Sequence, residues 1–532
     1  MQLVDRILDH ARQQPGAPAI LGPAGTVTYA ALLGEAGALA ARFAAADPEG
    51  DRRPVALMMA KSPRMAVAML AALLAGRAYV PVDPGHPAPR RAEMIADSRA
   101  ALVVVDEATD AADIAAVAGD AQVIRADMPG DTAAFTAPIP ADPADDAAIL
   151  YTSGSTSRPK GVRLSRRAFD IFTGLATDYL ALGPADRIAS HAPFGFDISI
   201  LDLFAGLAAG ASVHLVPEGQ MSNGRFLTSF IADRGITVWQ SVPTAICAIA
   251  RETAARQAAG DPSVPIRSLR HVGTTGEPLP AACRGDLSAV NPHATLHNIY
   301  GCTETNDSVI FSIPVSEAAG EGQLPIGTPL PFADCRIVDD QRRDVARGET
   351  GELMVASATA FTGYTDPELT AAALVRLADG SGPYYATRDL VVQDGDGILH
   401  FVGRVDHTIK LRGVRIDLRE VEAALAAAFG QPEVVALTVP CAVRGRQLVG
   451  VLGGVMGGRT DAAPLSPIEL KKRCAAHLPR LAIPDRFVSL SDILPRNANG
   501  KIDRRRVADM VAALPGTAAP SDESIPRKEY LQ

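Results

Sequence analysis

The stretch Tyr151-Thr152-Ser153-Gly154-Ser155-Thr156-Ser157-Arg158-Pro159-Lys160-Gly161 concentrates five small hydroxyl side chains, a glycine and a lysine. The apolar run Ala148-Ile149-Leu150 leads into it, so the loop leaves the end of a strand. Hydroxyls and backbone N–H groups in such a loop can meet phosphate oxygens, and a lysine adds a point charge. It is not a Walker A loop, because Gly161 stands where Ser or Thr is required. A Ser/Thr/Gly run taken alone is more often a flexible polar loop, so phosphate chemistry needs partners elsewhere. Metal chemistry held by the protein itself is disfavoured. The six cysteines form no C-x-x-C pair, and the ten histidines form no H-E-x-x-H zinc motif.

The elements around the loop read as α/β. Tyr29 to about Phe43 and Arg64 to Leu74 are Ala/Leu-rich helices. Pro54 to Met58 and Ala101 to Val105 are short, nearly all-apolar runs, as expected of strands covered on both faces. Helix and strand alternate to about Cys302, with a Pro/Ala/Asp-rich connector from Met128 to Asp146. From Ile326 to Val402, short strands such as Cys335–Val338 and Glu352–Val355 alternate with Gly and Asp turns, which predicts a β-rich region. Asp417 opens a further helix, with Glu420 three residues on completing a capping-box pattern.

A chain of 532 residues predicts at least two domains. With 47% hydrophobic and 21% charged residues it is globular in composition, and a formal net charge of −9 argues against nucleic acid as a partner. The N-terminal residues carry Asp5 and Asp9 and lack an apolar signal core. Met65 to Gly76, the most apolar stretch, is too short to cross a bilayer. A cytoplasmic protein without a membrane partner is expected.

The partners that the hydroxyl-rich loop needs occur in a fixed order. Ala75-Gly76-Arg77-Ala78-Tyr79-Val80-Pro81-Val82-Asp83-Pro84 precedes it, and Tyr300-Gly301-Cys302-Thr303-Glu304, Gly351-Glu352-Leu353 and Tyr385-Ala386-Thr387-Arg388-Asp389 follow. Gly403-Arg404-Val405-Asp406, Lys410 to Arg415, and Asn499-Gly500-Lys501 complete the series. Together these resemble the motifs of the adenylate-forming superfamily: acyl-CoA synthetases, firefly-type luciferases and the adenylation domains of nonribosomal peptide synthetases. Two positions depart from the family pattern. Ser157 replaces a glycine of the loop, a change that costs roughly 1 kcal/mol where the backbone needs positive φ. Arg77 replaces a common glycine of the early motif.

The resemblance implies roles that composition and spacing do not. Thr152, Ser153, Gly154, Ser155, Thr156 and Lys160 would hold the β- and γ-phosphates of ATP. Glu304 would hold Mg²⁺, and Thr303 the α-phosphate. Asp389 would accept the ribose hydroxyls and Arg404 would support ribose and phosphates. Tyr300 would stack on adenine, with Gly276 letting the base approach. Lys501 would bridge the substrate carboxylate and the developing phosphate charge as the principal catalytic residue, alongside Thr303 and Glu304. Asp406 would be the hinge.

Phe194-Gly195-Phe196-Asp197-Ile198-Ser199 resembles the segment of amino-acid-activating members in which the Asp pairs with the substrate ammonium; a helix N-cap is the alternative reading of Asp197. The remaining pocket positions would be Ile198, Leu201, Gln240, Gly273, Thr275, Ile299, Asp307 and Ser308, which predict a small amino acid, with Asp307 as an unusual second carboxylate.

The implied fold is a large N-terminal core over 1–405, built of two α/β sheet subdomains and a β-rich subdomain. A small α+β C-terminal domain over 406–512 follows on the hinge, and 513–532 is expected to be a disordered tail. About twenty residues follow Val511 without a D-S-L phosphopantetheine motif, so the expected thiol acceptor is a separate peptidyl carrier protein, as in nonribosomal peptide and antibiotic biosynthesis. A small activator protein is a further candidate partner. The alternatives are a D-alanine–carrier protein ligase, an acyl- or aryl-CoA ligase, and a non-catalytic adenylate-binding relative.

Overall fold

The computed structural model describes residues 2–46, 51–128, 137–152, 158–261, 266–405, 408–429, 433–441, 445–453, 466–490, 494–496 and 502–514. Several helices start where a hydroxyl or carboxylate meets an apolar run. Thr28 accepts from the Ala31 N–H at the head of Tyr29–Ala45. Ser62 accepts from Met65 ahead of Pro63–Leu74, with Pro63 in the first turn, where its missing N–H loses no helical bond. Every residue from Met65 to Leu74 is buried, which explains why that stretch is apolar all round.

The chain divides into two compact units. The first comprises Met1–Pro84, Ala88–Thr152 and Lys160–Val402. It holds a seven-stranded sheet in which Val55–Leu57, Tyr79–Pro81 and Leu102–Val105 run parallel. Asp146–Thr152 and Lys160–Ser165 form an antiparallel pair beside them, with the short strand Gly363–Tyr364 at the edge. A nine-stranded sheet contains the neighbours Val238–Ser241, His271–Thr275 and Thr295–Cys302, all parallel, and then the antiparallel strand Asn306–Pro314. One core joins these two sheets, and in it Tyr79, Phe169 and Phe204 pack ring against ring. A five-stranded, largely antiparallel sheet built on Ala333–Val338, Thr350–Ser357 and Tyr384–Gln393 realises the β-rich region.

The second unit, Gly403–Gln532 with Gly85–Pro87 and Ser153–Pro159, has a two-stranded and a three-stranded sheet and its own apolar core around Val421, Leu425 and Leu448. Asp417 does cap the helix Leu418–Phe429, through the Arg419 N–H at 2.8 Å. Arg77 is buried, its guanidinium donating to the Arg53 carbonyl at 2.8 Å.

Candidate functional site

Thr152 and Lys160 face each other across the antiparallel pair that brackets the hydroxyl-rich loop. The Thr152 hydroxyl oxygen is buried without a hydrogen-bond partner, a state that a bound polar ligand would relieve. Lys160 Nζ stands 6.0 Å from the centroid of the Tyr364 ring. The same tyrosine donates its hydroxyl to Glu304 Oε1 at 2.7 Å. Tyr364 therefore connects the lysine of the loop to the glutamate of the Tyr300–Glu304 motif. Sequence reasoning missed it, because a single tyrosine in a two-residue strand carries no pattern.

Glu304 is 1% exposed and lies in the tight connection between Thr295–Cys302 and Asn306–Pro314. The register shifts between Tyr300 and Gly301, and Asn306 adopts φ +57°. A Cβ on Gly301 would lie 2.2 Å from the Asn306 carbonyl oxygen, so only glycine allows the strands to close this far. Ser308, expected to line the substrate pocket, directs its hydroxyl to the Thr305 and Asn306 carbonyls at 3.2 and 3.3 Å and so braces the same connection. Thr303, one residue before Glu304, is half-buried.

Asp389 sits in the strand Tyr384–Gln393 at an irregularity. Glu352 pairs with Leu390 and Met354 with Ala386, so three residues face Leu353 alone. Arg388 takes φ +64° there and points outward while Thr387 and Asp389 are buried. Such a bulge re-aims a side chain that regular alternation would have sent elsewhere. Asp389 Oδ2 accepts from the Tyr300 hydroxyl at 2.6 Å. Burial, with the Asp389 charge beside it, holds the Tyr300 phenol well above its ordinary pKa, so it stays a donor. Gly276 follows the strand His271–Thr275 at φ +89°, a left-handed conformation that suits glycine.

The predicted pocket positions gather at the carboxyl ends of neighbouring parallel strands, where open α/β sheets bind ligands. Gln240 pairs with Gly273 and Thr275 with Ile299. A Cβ on Gly273 would lie 3.1 Å from Gln240 Cγ and 3.4 Å from Ile299 Cδ1, so the glycine keeps open the space between them. Gln240 is buried, and its Nε2 has no hydrogen-bond partner. Asp307 lies opposite Gly301 on the adjoining strand.

Asp197 begins the turn that runs into the π-helical segment Ile200–Ala205, and its Oδ1 accepts from the Ile198 N–H at 3.0 Å. Leu201 in that segment is buried, and Ile198 is half-buried. π-Helical turns recur at functional sites. Arg404 closes the strand Leu399–Arg404 at the start of the second unit. Ser153, Gly154, Ser155, Thr156, Ser157, Asp406 and Lys501 lie outside the described residues.

Among the described residues, no group of three or more His, Cys, Asp or Glu is gathered as a metal cage. No described helix is long and apolar enough to cross a membrane.

The AMP-binding enzyme family matches residues 7–365. An L-proline–L-prolyl-carrier protein ligase of Pseudomonas fluorescens is 37% identical over 87% of this chain and 90% of its own length. A protein of the same description from Streptomyces coelicolor is 35% identical over 96% of this chain and 97% of its own length. Among solved structures, the Vibrio cholerae adenylation domain AlmE in complex with glycyl-adenosine-5'-phosphate shares the fold. Its TM-score is 0.78 at 21% identity, covering 96% of this chain and 98% of that one. The family match spans well over half of the chain, and the nearly end-to-end relatives agree with it: the chain belongs to the AMP-binding enzymes.

Proposed function

We propose that the chain is an ATP-dependent ligase that converts a small amino acid into its aminoacyl-AMP. It then passes the acyl group to the phosphopantetheine thiol of a separate carrier protein. The observation that carries this reading is the nearly end-to-end similarity to two L-proline–L-prolyl-carrier protein ligases. The gathering of Gln240, Gly273, Thr275 and Ile299 at adjoining strand ends supports it.

In the first step a carboxylate oxygen of the amino acid bonds to the α-phosphorus of ATP, and the bond from that phosphorus to pyrophosphate breaks. Two anions meet, so cations and oriented donors must hold them. In this reading Thr152, Ser153, Gly154, Ser155, Thr156 and Lys160 hold the β- and γ-phosphates, and Thr303 the α-phosphate. Lys501 bridges the attacking carboxylate and the phosphate. Asp389, oriented by Tyr300, binds the ribose, and Arg404 supports it. Gly276 admits the adenine against the backbone. Glu304 would hold Mg²⁺, which when bound neutralises phosphate charge. A single carboxylate would fit that ion, which is usually bound through one or two carboxylates together with substrate phosphates. In the second step the carrier thiol sulfur bonds to the acyl carbon, AMP leaves and the thiol proton passes to solvent. Asp406 is the hinge between the two steps.

Asp197 pairs with the substrate ammonium, the charge that a fatty or aryl acid lacks. Ile198, Leu201, Gln240, Gly273, Thr275 and Ile299 bound a small side chain, with Asp307 near its far end. L-Proline, a compact ring, is the first candidate. Amino-acid-dependent ATP–pyrophosphate exchange tests the first step. Mass-spectrometric loading of a pantetheinylated carrier tests the second, and persistent loading of CoA alone would count against it.

A further inference from the structure

Lys61 follows the strand Val55–Leu57 and immediately precedes Ser62, the cap of Pro63–Leu74. Its ammonium donates to the Ser190 carbonyl at 2.6 Å and to the Ala192 carbonyl at 2.7 Å, and lies 5.3 Å from the centroid of the Phe194 ring. It faces the charge of Asp202, with Glu218 contributing from a further segment. Asp202 is 0% exposed, in the middle of the π-helical turn. Neither of its oxygens has a partner at hydrogen-bond distance, and the His191 N–H helps only at longer range. Burial pulls Lys61 down to about 7 and lifts Asp202 above the usual carboxylate range, while the mutual attraction opposes both shifts.

Buried opposite charges that do not touch contribute little net stability, since desolvation offsets the attraction. What Lys61 does contribute is location. The segment from Ser190 to Asp202 is loop and π-turn with few regular backbone bonds, and it carries Asp197, Ile198 and Leu201 just beyond the two carbonyls that Lys61 engages. We propose that Lys61 is a positioning residue that holds the amino-acid-recognition turn through the Ser190 and Ala192 carbonyls, acting on the substrate through Asp197. The inference rests on the reading of Asp197 as the partner of the substrate ammonium.

The test compares Lys61→Met, Asp202→Asn and the double variant in ATP–pyrophosphate exchange, with L-proline as the amino acid. Thermal unfolding is followed alongside. Lys61→Met should raise the KM for the amino acid at least tenfold while the KM for ATP and kcat change less than threefold. Should Lys61→Met fail to fold because it strands the Asp202 carboxylate, the double variant, which leaves no unpaired charge, decides the matter. It should fold and keep the raised amino-acid KM.

A second readout is conformational. Trp239, the single tryptophan of the chain, packs its ring 5.4 Å from that of His191. Its emission in the ligand-free double variant should shift as the 190–192 segment moves. A double variant with wild-type KM and emission would overturn the proposal, as would equal rises in both KM values. An Asp197→Ala variant with an unchanged amino-acid KM would instead overturn the reading of Asp197 itself, so the two failures are distinguishable.

Discussion

The Tyr300 hydroxyl donates to Asp389 Oδ2 at 2.6 Å, joining the end of one strand in the large sheet to a bulge in the β-rich sheet. The bond fixes the carboxylate proposed to hold the ribose. A hydrogen bond to a charged group is worth about 1.5–3 kcal/mol, or roughly ten- to a hundredfold in affinity. Tyr300→Phe should therefore raise the KM for ATP by about that factor and leave the amino-acid KM unchanged. Steady-state kinetics with each substrate varied in turn check this.

Tyr364→Phe separates the two contacts of its residue. The ring against Lys160 stays, and the hydroxyl on Glu304 is lost. The Mg²⁺ concentration for half-maximal exchange should rise several-fold, with a smaller change in saturated rate. A titration of exchange rate against Mg²⁺ reads the effect.

Gly301→Ala places a Cβ against the Asn306 backbone, which has no flexible end to move aside. Overpacking of this kind costs about 1–3 kcal/mol and occasionally more. The variant should unfold at lower denaturant concentration with an unchanged m-value, and exchange should fall because Thr303 and Glu304 ride on the distorted connection.

Acid should destabilise the fold well above the range of the carboxylates. Burial depresses His191, His214 and His271 to about 4 and His297 to about 3, from 6.5. As the pH falls from 6.5 towards 4 the unfolded chain takes up protons that the folded chain refuses, so stability drops through that window. Unfolding midpoints between about pH 7 and 4.5 should fall steadily; a flat profile would contradict the burial of these rings.

Much of this was legible in advance because it is local. The cap Asp417, the all-apolar run Met65–Leu74 and the strand Leu102–Val105 follow from residue type and period. The ordered motifs identified the candidate residues, but not how they meet. That Gln240 pairs with Gly273, and Thr275 with Ile299, depends on strand register set by the whole sheet. The bulge at Arg388 was invisible because an arginine gives no signal of positive φ. Tyr364 with Glu304, and Lys61 with the Ser190 and Ala192 carbonyls, are polar contacts between distant segments, and hydrophobic periodicity does not report such contacts. The Ser308 hydroxyl turned out to brace a turn, a role set by backbone carbonyls that no side-chain pattern reveals.

The central claim is that this site adenylates a small amino acid. Its most direct test is amino-acid-dependent ATP–pyrophosphate exchange by the purified chain across a panel of amino acids and of carboxylic acids lacking an α-amine. Exchange driven by L-proline or another small amino acid, and absent with the amine-free acids, is the expected result. Exchange only with large hydrophobic amino acids, exchange with the amine-free acids, or no exchange at all would contradict the account.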